Sequence, residues 1–319
     1  MPSDRQTSGS LVGMSDQSDL SLDVIVLTIF GIFWLVFGLL LFRIYPGFLP
    51  YNPDSAYGLF LVICSFQMIT MGKTPFGDLR RSWAIVAIGI GTAILGITVC
   101  FIPGCLTDFV RTLVGMILFA GGAVLLLQLF LSKTKARIWL KVGGTLWSLT
   151  LACALVYVLT IISGLVTLSS GLRSDPRTAN LVISYGVSFL YLSWSVWKVG
   201  RIYPADKRDE STSASQGFNR GESGPSFVLF REASLSPSLA ILILLGFVIT
   251  LLGILIFPVS LGMLPFSPDG QLGLTLTIMA IQMLAMGDTP FGQYARSRSM
   301  IVIGIMFAAF GVVSCIVPG

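Results

Sequence analysis

Long runs of Leu, Ile, Val, Phe, Gly and Ala alternate along the chain with short polar segments. Nine long stretches contain no Asp, Glu, Lys or Arg: 24–42, 55–72, 82–107, 112–132, 142–172, 178–197, 233–268, 270–287 and 299–319. The hydrocarbon layer of a bilayer is about 30 Å thick and a helix rises about 1.5 Å per residue, so roughly 20 apolar residues make one crossing. A helix satisfies its own backbone hydrogen bonds in lipid, whereas a β-barrel would show short alternating segments. The pattern predicts an all-α polytopic membrane protein with nine transmembrane helices.

Composition agrees. Only 11% of the 319 residues are charged, against about 25% in a soluble domain. That deficit leaves soluble, disordered and fibrous classes as poor fits. The Lys and Arg side chains also orient the chain. With nine crossings, Arg5, Lys73, Arg80, Arg81, Lys133, Lys135, Arg137, Lys141, Lys198, Arg201, Lys207, Arg208, Arg220, Arg231, Arg296 and Arg298 share the N-terminal side, 16 in all. Arg43, Arg111, Arg173 and Arg177 fall on the other. Positive charge accumulates on the cytoplasmic face. The expected setting is therefore the cell (plasma or inner) membrane, with the N-terminus cytoplasmic and the C-terminus outside. Trp83, Trp139, Trp194 and Trp197 fall at expected cytoplasmic helix ends, and Tyr45, Tyr51 and Tyr57 near outer ends, as an interfacial aromatic belt would. Residues 1–23 lack an apolar run, so the first helix is expected to direct insertion itself. The net charge of +5 suits a surface facing anionic lipid and calls for no nucleic acid.

The sequence repeats itself. The segment from Gly31 to Gly104 aligns without a gap on the segment from Gly246 to Gly319, and 31 of its 74 positions are identical. GFLPYNPD at 47–54 matches GMLPFSPD at 262–269, and QMITMGKTPFGDLRRS at 67–82 matches QMLAMGDTPFGQYARS at 282–297. Six helices separate equivalent points, so the copies are expected to point the same way about a two-fold axis along the membrane normal. The expected organisation is a disordered cytoplasmic tail at 1–23, a three-helix repeat at 24–104, helices 4–6 at 105–200, a flexible Ser- and Gly-rich linker at 201–236, and a second three-helix repeat at 237–319.

Several repeated residues are candidates for a role. Gly31 and Gly38 correspond to Gly246 and Gly253, and Gly89 and Gly96 to Gly304 and Gly311. The spacing within each pair is nearly two turns, so both glycines lie on one face and are expected to pack closely against a neighbouring helix. Pro53-Asp54 and Pro268-Asp269 begin helices 2 and 8, with the Asp read as an N-cap. In the cytoplasmic TPFG loops, Thr74 and Thr289 are expected to cap the following helix, with Pro75 and Pro290 at its first position. Arg81 and Arg296 follow where the chain re-enters the bilayer, placed to hold a lipid phosphate or another anion. Lys73 is replaced by Asp288, so the two loops differ electrostatically. Gln67 and Gln282 are the long polar side chains that both copies place within a crossing. Two readings stand for them: a hydrogen bond to a neighbouring helix, or a polar cavity shared across the two-fold axis. Of the five Cys, residues 100, 105 and 315 lie near the outer face, where a Cys100–Cys315 or Cys100–Cys105 disulfide is conceivable.

Absences shape the functional reading. The chain has no His. No charged residue falls deep within a crossing, where proton-coupled pumps place Asp, Glu or His. Metal-ligand spacing and phosphate-binding glycine loops are missing as well. No metal, cofactor or catalysis is expected. The preferred expectation is a non-catalytic protein that moves a small solute at the interface of the two repeats, through a site lined by Gln67, Gln282 and small residues with Arg81 and Arg296 at its cytoplasmic mouth. The alternative is a structural or accessory protein. It would bind anionic lipid headgroups or a membrane partner through the duplicated TPFG–RS loops; the partners expected besides the bilayer are a membrane protein or, as a homo-oligomer, further copies of the chain.

Overall fold

The computed structural model describes residues 21–71, 73–74, 77–78, 82–104, 106–131, 145–170, 176–202, 237–286, 288–289, 292–293 and 298–318. Among them are nine helices: α1 (Leu22–Ile44), α2 (Pro53–Met71), α3 (Trp83–Phe101), α4 (Thr107–Leu131), α5 (Thr145–Ser170), α6 (Pro176–Ile202), α7 (Pro237–Ser260), α8 (Pro268–Met286) and α9 (Arg298–Ile316). Each falls on one charge-free stretch. Seven are long and apolar enough to cross a membrane; the other two are α2 and α8. Those two carry an Asp in the first turn and a Gln near the end, Asp54 with Gln67 and Asp269 with Gln282, which lowers their hydropathy. The protein is thus a helical, multi-pass membrane protein that contacts the bilayer. Large apolar side chains such as Leu127, Phe130, Leu242, Ile249, Phe257 and Phe310 are exposed, as lipid-facing residues are.

The helices pack chiefly as the pairs α1–α6, α2–α3, α4–α5 and α8–α9, with α5 also on α6. Trp34, Phe33, Phe37 and Tyr185 are almost fully buried where α1, α2 and α6 meet. The Trp34 ring lies 5.0 Å from Tyr185 and 5.7 Å from Phe60. Close approach depends on small residues. A Cβ built at Gly31 would lie 2.6 Å from Leu190, and one at Gly38 2.6 Å from Ile183, so α6 seats its aliphatic side chains on the α1 glycines. Gly58 and Gly96 face each other between α2 and α3, each blocked by the other's carbonyl oxygen at 2.6 and 2.7 Å. Gly273 and Gly311 repeat this between α8 and α9, and Gly89 and Gly304 pack against Ile69 and Leu284. Gly246 and Gly253 depart from the expectation: among the described residues no atom lies within 4 Å of a Cβ built at either, so no described helix packs closely on their face of α7 as α6 packs on α1.

The described elements of 53–101 recur at 268–316. Pro53–Met71 of α2 corresponds to Pro268–Met286 of α8, and Trp83–Phe101 of α3 to Arg298–Ile316 of α9, at one constant offset. Two short antiparallel hairpins follow the same offset, β1 (Lys73–Thr74) with β2 (Gly77–Asp78), and β3 (Asp288–Thr289) with β4 (Gly292–Gln293). Contacts between the two parts are reciprocal. Asn52 N donates to Ile316 O at 3.1 Å, and Ser267 N donates to Phe101 O at 2.9 Å. Those pairs interchange when one copy is mapped onto the other. The thiols of Cys100 and Cys315 both reach Ser55 O, at 3.6 and 3.7 Å. They are free thiols rather than a disulfide, and Cys105 lies outside the described residues.

Several local expectations are corrected. Asn52 and Ser267, not the Asp residues, stand at the N-caps of α2 and α8, with Pro53 and Pro268 as the first helical residues. Ser55 N donates to Asn52 Oδ1 at 3.4 Å, and Gly270 N to Ser267 Oγ at 3.1 Å. Asp54 instead reaches the next turn, where its Oδ2 accepts from Gly104 N at 2.6 Å and Thr107 Oγ1 at 2.9 Å. Thr74 and Thr289 do not cap helices, since each sits in a hairpin strand and the next helix starts only at Trp83 or Arg298. Ser82 holds the N-cap position of α3, without a capping bond from its side chain. Tyr57 is buried rather than part of an aromatic belt. Trp194 is exposed, and Lys198 and Arg201 lie over the Trp194 and Trp197 rings at 5.2 and 5.4 Å. Helix α1 begins at Leu22, inside the expected tail, and α6 runs on to Ile202, inside the expected linker; 1–20 and 203–236 lie outside the described residues.

Candidate functional site

A cavity of about 310 Å³ lies among α1, α2, α4, α5 and α6. The helix pairing explains its place. The α1–α6 contact is tightest at Gly31, Gly38 and Gly186, and the α4–α5 contact at Gly115, Gly122 and Gly164. Helix α5 meets α6 through a 2.7 Å hydrogen bond between the Thr160 and Tyr185 hydroxyls. Between these seams the five helices leave space that their side chains do not fill. The lining clusters toward one end of the bundle: the start of α1, Phe60 to Gln67 of α2, the middle of α4, Cys153 to Thr160 of α5 and Tyr185 to Val196 of α6, reaching mid-helix at Phe60, Thr160 and Tyr185. That end carries the N-terminus of α1.

One wall is aromatic and continuous. Phe60 lies edge-on to Phe30 at 6.0 Å, Phe30 stacks on Phe189 at 5.6 Å, and Phe189 meets Tyr185 at 4.9 Å. Tyr157 adds a fifth ring from α5. Polar groups are sparse: Asp23, Gln67, Thr160 and the Tyr hydroxyls, with the thiols of Cys64 and Cys153. Thr28 and Ser193 fasten α1 to α6 close by, their hydroxyls 2.8 Å apart and Ser193 donating to Val24 O at 3.0 Å. The lining is an apolar chamber with a few fixed polar groups, the general form of a small-molecule site. Among the described residues, no cluster of His, Cys, Asp or Glu has the proximity to hold a metal ion.

The residues expected to form a site are not gathered here as a set. Gln67 lines the cavity; Gln282, half-buried on α8, does not. Nor does any described residue of the second copy line it. The two copies meet instead through buried side chains and backbone, with Cys100, Cys315, Ser55 and Gly270 closed against one another. For Thr74 and Thr289 the backbone is described as strand, while Arg81 and Arg296 lie outside the described residues. Asp23, Tyr157, Thr160 and Tyr185 were not singled out from the sequence. Asp23 stood just outside the first charge-free run, and the others stand on α5 and α6, where no repeat drew attention to them. The available signal was Asp23 itself, an acid directly abutting an apolar helix.

No family model, curated protein or solved structure matches the chain. Its function is therefore read from its own geometry.

Proposed function

We propose that the chain is a non-catalytic membrane protein that binds a small solute in the cavity among α1, α2, α4, α5 and α6 and moves it across or within the bilayer. The observation carrying this reading is the cavity itself, an apolar chamber holding Gln67 and Asp23 in a bundle that is otherwise closely packed. In this reading all nine helices cross, α2 and α8 being shielded by their neighbours. The two three-helix copies run parallel about an axis along the membrane normal. The reciprocal Asn52–Ile316 and Ser267–Phe101 hydrogen bonds support that symmetry. The Lys and Arg distribution supports a cytoplasmic N-terminus in a plasma or inner membrane, so the cavity opens toward the cytoplasm. The packed contact between the copies moves the solute site away from their interface.

That same packed contact favours a second reading, an accessory protein that holds a membrane partner or lipid headgroups at the paired hairpins. Flux separates the two. In proteoliposomes the first reading expects uptake of at least one small organic solute above the level of empty vesicles. Leu125→Trp, which pushes a large ring into the cavity, is expected to lower that uptake by about tenfold or more. Gln67→Ala is expected to lower it about fivefold, the equivalent of one hydrogen bond. Uptake unaffected by Leu125→Trp would remove the cavity from the pathway. No uptake of any solute would leave the accessory reading.

A further inference from the structure

We propose that the cavity has a second way out, toward the membrane face opposite the N-terminus of α1, and that the Phe60 ring is the gate closing it in this structure. This rests on the reading of the cavity as a solute site and adds the other half of the path. The lining continues in register along three helices. On α1 it stops at Phe30, and Phe33, Trp34 and Phe37 follow along the next turns. On α2 Gln67, Cys64 and Phe60 are succeeded by Tyr57 and Ala56, and on α4 Leu118 and Ile117 by Val114. The second set surrounds a separate void of about 10 Å³. Phe60 belongs to both linings, so its ring stands between the two spaces.

The seams around the cavity differ in what fills them. Helix α1 meets α6, and α4 meets α5, at glycines where a built Cβ would strike the neighbouring helix, so those contacts are fixed in the backbone. Between α5 and α6 the Thr160 and Tyr185 hydroxyls are hydrogen-bonded. Where α1, α2 and α4 face one another the filling is side chain. The Phe60 ring lies 5.7 Å from Trp34 and 6.3 Å from Phe33, and Val114 faces them from α4. A ring can turn about its side-chain torsions without moving a helix, so this seam can open locally. Polar atoms mark the same line. Among the described residues four buried side-chain polar atoms have no hydrogen-bond partner, and Trp34 Nε1, Tyr51 Oη and Asp54 Oδ1 are three of them. Trp34 lines the void, the Tyr51 ring stacks on Phe37 of that lining at 6.2 Å, and Asp54 stands in the first turn of α2, tied to the start of α4. Such atoms are uncommon, because burial strips their hydration without replacing it. Water passing a displaced Phe60 reaches all three. The fourth, Ser163 Oγ, stands on α5 and lines neither space.

The test reads access to Cys153, which lines the cavity. The full-length protein, with Cys64, Cys100, Cys105 and Cys315 replaced by alanine, is placed in sealed vesicles. The small, membrane-impermeant reagent trimethylammonioethyl methanethiosulfonate is applied from one side at a time, and modification of Cys153 is followed by mass spectrometry. With Phe60 in place, the reagent is expected to reach Cys153 from the N-terminal side and not from the opposite one. Phe60→Ala is expected to raise the rate from the opposite side by at least about tenfold, while the rate from the N-terminal side stays within about twofold. Phe60→Leu, a milder change, is expected to give a smaller rise in the same direction, and it carries the test should the alanine variant fail to fold. Phe101→Ala is the control. Phe101 is as deeply buried, sits at the contact between the two copies and lines neither space. Its loss loosens the protein without removing the partition, and is expected to leave the opposite side closed. A Cys153 closed to the opposite side in both Phe60 variants overturns the proposal, as does equal opening by Phe101→Ala. A Cys153 that no variant exposes to either side overturns the cavity reading beneath, and the gate falls with it.

Discussion

Gly96→Leu is expected to prevent the protein from accumulating folded in the membrane. Helices α2 and α3 touch backbone to backbone at this point. A Cβ at Gly96 would lie 2.7 Å from Gly58 O and about as close to the Val62 and Leu61 side chains, at 3.0 and 3.1 Å. A carbonyl oxygen within a helix cannot swing aside as a side-chain tip can. The two helices must therefore separate, losing contacts along their whole length. Overpacking typically costs about 1–3 kcal/mol, and a forced helix separation belongs at or above the upper end, so we expect about 3 kcal/mol or more. Against a total stability of about 5–15 kcal/mol, that is a large share. Gly253→Leu is the matched control. It adds the same side chain where, among the described residues, nothing lies within 4 Å of a built Cβ, and is expected to stay within about 0.5 kcal/mol of wild type. Resistance to unfolding in detergent, read by the retained helical circular dichroism, separates the two variants. Equal behaviour would contradict the packing described for α2 and α3.

Asp54→Ala is expected to lower stability by about 2 kcal/mol, from two lost acceptor contacts less a partial offset. Asp54 is 5% exposed, and its Oδ2 collects two donors from the turn between α3 and α4. One donor is the backbone of Gly104, held at φ +85°, a left-handed conformation that suits glycine. The other is the hydroxyl of Thr107, the first residue of α4. Removing the acceptor costs the half-buried Thr107 hydroxyl about 1–3 kcal/mol, while the exposed Gly104 N–H recovers part of its loss from water. Part of that loss is offset, because Asp54 Oδ1 is buried with no hydrogen-bond partner among the described residues. Thr107→Val removes one of the two bonds and is expected to cost about 1 kcal/mol. If Asp54→Ala unfolded at the same detergent concentration as wild type, Asp54 would not be the tie between α2 and the α3–α4 turn.

The extent of each helix was legible in the sequence because charge is so costly in hydrocarbon that Asp, Glu, Lys and Arg mark the ends. Helix α5 lies within 142–172, and α7 within 233–268. The tight glycines were partly legible. Gly96 and Gly311 stood out by their spacing, while their partners Gly58 and Gly273 are followed at that spacing by Ser65 and Ala280 rather than by a second glycine and passed unremarked, although both occur in both copies. The cavity was not legible. Its walls depend on which helices become neighbours, and α1 packs on α6, far along the chain, rather than mainly on α2. Periodicity identifies the faces of a helix but not the helix that covers them. For that reason Gln67 was foreseen as a polar group inside the bundle, whereas its neighbours Asp23, Tyr157 and Tyr185 were not. The role of Asp54 was missed for a related reason: a first-turn acid ordinarily serves its own helix, and only the fold brings Gly104 and Thr107 within its reach.

The account stands on a chamber that a bilayer surrounds and that opens at the N-terminal end of α1. Sided labelling of Cys153 examines that directly. With Cys64, Cys100, Cys105 and Cys315 replaced by alanine, a membrane-impermeant maleimide is applied to sealed vesicles of each orientation. The account predicts modification of Cys153 in inside-out vesicles and protection in right-side-out ones. Modification from the extracellular side alone, or from neither side, would contradict it.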